Sequence, residues 1–477
     1  MTGRPLWTAA EAGQALGLQA DGDWSASGVS IDSRTLQPGD LFVALVGPRA
    51  DGHDHVAEAF AKGAVAALVA RRPDGVAPAA PLLTVADTLT GLIALGQAAR
   101  RRSAAKIVAV TGSCGKTGTK EALRLVLDHQ AGGGPCHASA ASHNNHWGVP
   151  LSLARLHADA AYGVFEVGMN HAGEITPLSL MIRPHVAVIT NVEAVHLAQF
   201  ASVEAIADAK AEIFVGVEPG GWAVLNRDNP HFERLARHAA DAGIRRIIGF
   251  GHYPTAAVLV EREVLHPEVS CVKADVAGTA ITYKVGQPGR HWVMNSLAVL
   301  AAVTALGGDL GRAGPALAKL APLAGRGARH RVRVGGAEIQ VLDDSYNANP
   351  SSIQAAFETL GRIEPAGRGR RIAVLGDMLE LGPEAPALHA ALAGPLVANG
   401  IDLAFLAGPN MAALDAALPP ERRGGHVASS AELVPVVRPA LRPGDVVLVK
   451  GSLGSRMGPV VAALLALDDV VDQAVNG

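Results

Sequence analysis

Residues 107–120 read IVAVTGSCGKTGTK. An apolar run enters Gly112, Ser113, Cys114, Gly115, Lys116 and Thr117, and the helical KEALRLVLDH follows. A glycine-rich turn between a strand and a helix is built to hold phosphate. Glycines let backbone N–H groups turn inward, and the helix N-terminus adds partial positive charge. Lys116 can reach the outer phosphates, and the Thr117 hydroxyl can ligate Mg²⁺. Glycines alone could mark a plain strand–helix turn, but Gly-Lys-Thr in this place points to a nucleotide. The spacing is short: the generic pattern would put its first glycine at Val110, which argues against a standard kinase or GTPase.

The loop belongs to a longer alternation of apolar strands and helices. KIVAVTG, YGVFEVG, HVAVITN and WAVLN are each followed by polar or helical sequence, the pattern of a parallel sheet covered on both faces. With 477 residues, two or three domains are expected. The Pro/Gly-rich RRPDGVAPAAP (71–81) closes a small α/β unit, giving residues 1–84. The break AGRGARHRVRV (324–334) separates residues 85–325 from 326–477, where EIQVLDDS, RIAVLGDM, LAFLAG and DVVLVKGS resume the alternation. The fold class is therefore α/β in three domains, the central one carrying the phosphate loop. A net charge of −3 and 4% aromatic residues exclude the positive field and stacking platforms of a nucleic-acid-dependent ATPase. No apolar run of about 18 residues spans a membrane, and three scattered cysteines make neither a disulfide framework nor a zinc site. A cytoplasmic monomer is the default expectation.

Ligands bind beyond the carboxyl ends of strands in open parallel sheets. Glu166 ends one such strand and His196 follows another by a short loop. Beside Thr117 they would form a Mg²⁺ site; singly, each has an ordinary reading, as a helix-capping glutamate and a locally bonded histidine. In SVEAIADAKAEIF, Lys210 falls on the helix stripe of Val203, Ile206, Ile213 and Phe214, where an unpaired ammonium is costly. Pairing with Asp208 or Glu212 would explain it; conversion by CO₂ to a carbamate would instead make it an oxygen ligand for a second Mg²⁺.

Read in order, VTGSCGKT, FEVGMNHAGEI, ITNVEAVHLAQF, ADAKAEIF, VLNRDN, HWVMNSLAVLAA, DDSYNANPSS, LGDMLELG and VLVKGS cover most of the chain. Together they resemble the ATP-dependent Mur ligases of bacterial cell-wall synthesis. The resemblance implies a small N-terminal α/β domain for the UDP end of the substrate, a central phosphate-loop domain, and a C-terminal Rossmann-like domain that closes over ATP. With DSRTLQPGDLFVALVG and DGHDH near the N-terminus, DDSYNANPSS and GDMLELG favour the branch that adds D-alanyl-D-alanine to UDP-N-acetylmuramoyl-tripeptide through an acyl phosphate. Rival readings are a sister Mur ligase, a folylpolyglutamate synthase-like ligase, and a non-catalytic sensor of UDP-muramoyl peptides.

Carried over by position, the resemblance implies that Lys116 and Thr117 hold the β/γ-phosphates and Mg²⁺. Thr117, Glu166, His196 and carbamylated Lys210 are the implied metal ligands. Asn295 would lie near adenine and Asp343 at the ribose, with Tyr346 and Asn347 close by. Arg326 would reach the phosphates from the interdomain hinge, with Arg329 and Arg331 as rivals. Ser33 and Arg34 match the UDP-sugar end, and Asn144 and Asn145 fall near the muramoyl-peptide path. Lys450 would come over the substrates on closure or stay a solvated strand-end charge; Ser33 and Arg34 could equally form a local turn with a surface arginine. Cys114 stands where relatives more often carry Asn or Ser. Beside a helix N-terminus and Lys116 its thiol would have a lowered pKa and be shielded by ATP; an inert thiol is the other reading.

Overall fold

The computed structural model describes residues 4–130, 135–140, 142–194, 198–334 and 337–467. Three main sheets follow one another along the chain. The first is parallel and four-stranded, with Gly28–Ser30, Asp40–Val43, Ala66–Val69 and Leu82–Thr84 in chain order. A short antiparallel ribbon, Trp7–Thr8 with Ser25–Ala26, precedes it.

Helix Thr88–Arg102 starts where Asp87 accepts the Thr90 N–H at 2.8 Å, a side-chain cap for an otherwise unpaired backbone donor. Gly96 brings it against the Gly148–Ala154 helix: a Cβ there would stand 2.9 Å from the Pro150 carbonyl oxygen. The Trp7 indole N–H donates to the Ala154 carbonyl at 2.8 Å. Apolar packing therefore runs unbroken from Leu6, Leu41 and Leu68 through Leu92 to Phe165 and Leu225.

The second sheet has nine strands, in the spatial order Thr279–Val285, Ser270–Val276, Val258–Leu265, Arg246–Gly251, Trp222–Asn226, Val186–Ile189, Lys106–Thr111, Tyr162–Glu166 and Cys136–Ala138. Ile107 and Ala109 enter the core shared with the first sheet, whereas Val108 and Val110 enter a second core under helices Lys116–Asp128 and Arg290–Ala305. That alternation explains the continuous apolar run: both faces are buried. The chain moves to one side of Lys106–Thr111 for the strands at 136 and 162, then to the other side for 186 onward. The order reverses there, which opens a crevice at that strand's carboxyl end.

The central sheet is parallel, as expected, and gains an antiparallel edge. Val258–Leu265, Ser270–Val276 and Thr279–Val285 pair antiparallel. Ala277 and Gly278, both at positive φ (51° and 89°), join the last two strands in the tight hairpin that matches strand twist.

The third sheet runs Ala328–Val334, Ala337–Asp344, Val446–Lys450, Arg371–Gly376, Leu403–Ala407 and Arg423–Val427, antiparallel only at its first pair. Its two faces have cores of their own. No helix among the described residues is long and apolar enough to cross a membrane.

Candidate active site

The phosphate loop leaves strand Lys106–Thr111 through two glycines that nothing else can replace without strain. Gly112 has φ 149° and a Cβ on it would lie 2.0 Å from Thr190 Oγ1. Gly115 has φ 83°, and its Cβ would lie 2.6 Å from Asn295 Oδ1. Asn295 is buried across the loop and also faces Gly118. The next strand's end laces the loop down. The Ser113 N–H donates to Asn191 O at 2.8 Å, Thr190 Oγ1 donates to Cys114 O at 2.5 Å, and the Glu193 N–H donates to Ser113 Oγ at 2.9 Å. Asn229 holds Asn191 in turn, its amide 2.5 Å from Asn191 Oδ1. Thr190, Asn191, Glu193 and Asn229 were not singled out from sequence. Their only signal was a polar end to two apolar runs: Thr190 and Asn191 close ITN, Glu193 follows it, and Asn229 lies three residues beyond VLN.

Helix Lys116–Asp128 begins at the loop. The Lys116 ammonium donates back to Gly112 O at 2.6 Å; burial pulls its pKa down, and the nearby Glu166 carboxylate opposes that. Thr117 Oγ1 donates to Glu166 Oε2 at 2.8 Å, and the Asn144 amide donates to Oε1 at 2.8 Å. Glu166 is 1% exposed and does not cap the following helix. That helix, Ile175–Ile182, receives its cap from Glu212, which accepts the Ile175 and Thr176 N–H groups at 3.1 and 3.0 Å.

Lys210 is buried, and neither suggested partner reaches it. Asp208 is taken by Arg234 at 2.6 and 2.7 Å and by His238 at 2.7 Å, while Glu212 serves the amides. The Lys210 ammonium has no hydrogen bond or ion pair among the described residues; burial, and then the Lys116 charge, hold its pKa well below the ordinary lysine value. His196 lies outside the described residues. Among those described, no three His, Cys, Asp or Glu side chains group as a metal site.

Of the two readings of the Cys114 thiol, its surroundings favour the inert one. Burial and the Glu193 carboxylate push its pKa up to about 12, outweighing Lys116.

Arg326 stacks on the Tyr346 ring, 4.1 Å from its centroid, and stands close enough to Lys116 and Asp344 to shift both. Its two rivals face elsewhere: Arg329 donates to Pro267 O, and Arg331 lies 3.5 Å from Glu338. Asp343 accepts the Gly325 N–H at 3.1 Å and the Ser345 hydroxyl at 2.6 Å, tying the segment before Arg326 to the third sheet. A cavity of about 430 Å³ opens there between Asp343, Tyr346, Leu453 and Arg456. Lys450 is not a solvated strand-end charge. It is 2% exposed, 2.6 Å from Asp344 Oδ2, and donates to the Asn347 carbonyl at 2.9 Å. Burial raises the Asp344 pKa, against the pull of Lys450. The Asn347 side chain accepts the Ala348 N–H at 2.9 Å.

Ser33 is buried with its hydroxyl on Glu58 at 3.0 Å, while Arg34 is exposed and clasps Asp32 at 2.7 Å. Asn145 caps the Gly148–Ala154 helix through its side-chain oxygen, 2.9 Å from the Gly148 N–H.

A glycine loop with an inward lysine, at the order reversal of a parallel sheet and beside a buried carboxylate, defines a phosphate-loop nucleotide-binding α/β enzyme. The chain belongs to the Mur ligase family. The family models described as Mur ligase family, catalytic domain; Mur ligase middle domain; and Mur ligase, glutamate ligase domain match residues 25–112, 110–303 and 329–453. The UDP-N-acetylmuramoyl-tripeptide–D-alanyl-D-alanine ligases of Rickettsia prowazekii and Escherichia coli K12 are 31% and 35% identical to it. The first alignment covers 96% of this chain and 99% of that one, the second 93% and 94%. A crystal structure of MurF from Acinetobacter baumannii superposes with TM-score 0.82 at 29% identity, covering 96% and 98%. MurF from Thermotoga maritima in complex with ADP superposes at 0.75 with 25% identity, covering 93% and 98%.

Proposed function

We propose that this chain is the ATP-dependent ligase that joins D-alanyl-D-alanine to UDP-N-acetylmuramoyl-tripeptide, releasing ADP and phosphate in peptidoglycan precursor synthesis. The observation that carries it is the convergence of Lys116, Thr117 and Glu166 on one crevice, with Lys210 buried beside them, in a chain aligned almost end to end with ligases of that name. Residues 1–84, 85–325 and 326–477 serve as UDP-substrate, ATP and closing units. Sheets that end at Thr84 and restart at Lys106 and Ala328 support that division.

Loop amides and Lys116 hold the β/γ-phosphates, and Lys116 swings from the Gly112 carbonyl to do so. Arg326 adds positive charge from the hinge. Asn295 is the adenine-side group, and Asp343, Tyr346 and Asn347 line the ribose side. The peptide's terminal carboxylate attacks the γ-phosphorus, and ADP leaves. The amine of D-alanyl-D-alanine then attacks the acyl carbon, and phosphate leaves from the tetrahedral intermediate. Positioning and neutralisation of oxygen charge drive both steps, and closure of the third unit keeps water from the acyl phosphate. The oxygens of Thr117 and Glu166, side by side, would suit Mg²⁺ as two of its ligands. By its match to the family motif, His196 would be a further ligand. Bound there, Mg²⁺ would neutralise phosphate charge.

An unpaired, buried amine at Lys210 suits attack on CO₂, giving a carbamate and releasing a proton; its oxygens would serve a second Mg²⁺. Ser33 and Arg34 contact the UDP-sugar, Asn144 and Asn145 the muramoyl peptide, and Lys450 the closed substrates. The enzyme works as a cytoplasmic monomer, which sedimentation of the purified chain checks.

Phosphate release from ATP tests the reading. Release that needs both the tripeptide nucleotide and D-alanyl-D-alanine, with product mass raised by the dipeptide, is expected. Release only with a shorter muramoyl peptide and one amino acid would move the chain to a sister ligase. ATP binding with no release for any acceptor would leave a sensor.

A further inference from the structure

The loop Asn170–Glu174 is exposed along its whole length yet pinned like a buried turn. Glu212 accepts the Gly173, Ile175 and Thr176 N–H groups at 2.6, 3.1 and 3.0 Å and the Thr176 hydroxyl at 3.1 Å. Glu174 accepts the Asn170 N–H at 2.7 Å and faces His171 Nδ1 at 3.0 Å. The Asn170 carboxamide and His171 Nε2 have no hydrogen bond among the described residues and face solvent. A carboxylate only accepts, so Nδ1 carries the hydrogen, and in that tautomer Nε2, turned outward, is the acceptor. Order without burial, with free polar groups on the outside, is the build of a recognition loop on a rigid frame.

Its place is as informative as its build. The loop starts four residues after Glu166, and its clamp Glu212 stands two residues after Lys210. The Gly168 N–H, just before it, donates to the carbonyl of Asn144, whose amide holds Glu166. The loop is therefore bracketed by the side chains at the reaction centre.

We infer that Asn170 and His171 read the side chain of the third residue of the peptide, and that the group they bind is an ammonium at that side chain's end. The inference rests on the ligase reading above. In the tripeptide, the carboxylate that is phosphorylated and the third side chain hang from one carbon. A carboxylate placed beside Glu166 and Lys210 thus puts that side chain against the neighbouring loop. His171 Nε2 and Asn170 Oδ1 are both acceptors, and an ammonium offers three donors. Glu212 is a positioning residue, touching no substrate.

The test compares UDP-muramoyl-tripeptides ending in lysine, diaminopimelate or norleucine, the last lacking the ammonium. The wild-type enzyme should favour the first two by about tenfold or more in kcat/KM, the range of a hydrogen bond to a charged group. In Asn170→Ala/His171→Ala the preference should shrink to within about threefold, with KM for ATP and D-alanyl-D-alanine unchanged. Glu212→Gln should raise the tripeptide KM several-fold while leaving the KM for ATP as it was. A preference that survives the double substitution, or no preference in the wild type, overturns the inference. A wild-type enzyme that turns over no tripeptide overturns the ligase reading and this inference with it.

Discussion

At the residue scale, Gly115 and Lys116 divide the work of the loop between shape and charge. Gly115→Ala places a methyl group 2.6 Å from Asn295 Oδ1 at φ 83°, a conformation that costs an L-residue about 1–2 kcal/mol. It should lower thermal stability and weaken ATP binding together, as melting and nucleotide titration will show. Lys116→Ala should leave the fold intact and, on the function proposed above, removes the charge that meets the transferred phosphoryl group. Its kcat should fall by about two to three orders of magnitude, and phosphate-release kinetics check this. For Lys210, enzyme equilibrated with ¹³C-bicarbonate should show a carbamate resonance that is absent in Lys210→Gln. Residue types and spacing made these positions legible, because phosphate chemistry demands them. Cys114 was legible only as a neighbour of positive charge. Its surroundings, which burial and Glu193 dominate, come from the segment that follows strand Val186–Ile189, far along the chain.

At the element scale, the strand Cys136–Ala138 carries a buried histidine that makes the central sheet acid-sensitive. His137 Nε2 lies 2.8 Å from the Ser152 carbonyl, and burial lowers its pKa from 6.5 to about 4. The unfolded chain takes up its proton near pH 6.5, while the folded chain resists until about 4. The contribution is therefore complete above pH 6.5 and is lost as pH falls through that window. Denaturant melts from pH 7 to 4 should fall less steeply for His137→Gln than for wild type. Apolar runs identified the strands that flank the loop, since burial on both faces leaves a continuous signature. The antiparallel strands between Val258 and Val285 escaped that reading, because one-sided burial alternates and resembles polar sequence between elements.

At the scale of the whole molecule, the three sheets do not make three independently packed units. The first sheet and one face of the second form one apolar cluster, and the third sheet packs only on itself. Scanning calorimetry of the apo enzyme should resolve two transitions, with residues up to the hinge melting together; three would count against a shared core. An ATP analogue that bridges the loop and the hinge should raise both. What the sequence determined by itself was local: a strand–loop–helix for phosphate, strand-end carboxylates, and breaks rich in proline, glycine and arginine. These follow from backbone conformation and side-chain chemistry within a few residues. Only the tertiary structure decided which of Arg326, Arg329 and Arg331 faces Lys116, that Lys450 is buried against Asp344, and that Asp208 and Glu212 turn away from Lys210. Each of those outcomes depends on partners distant along the chain, and the free energy of a buried charge is set by what surrounds it in space.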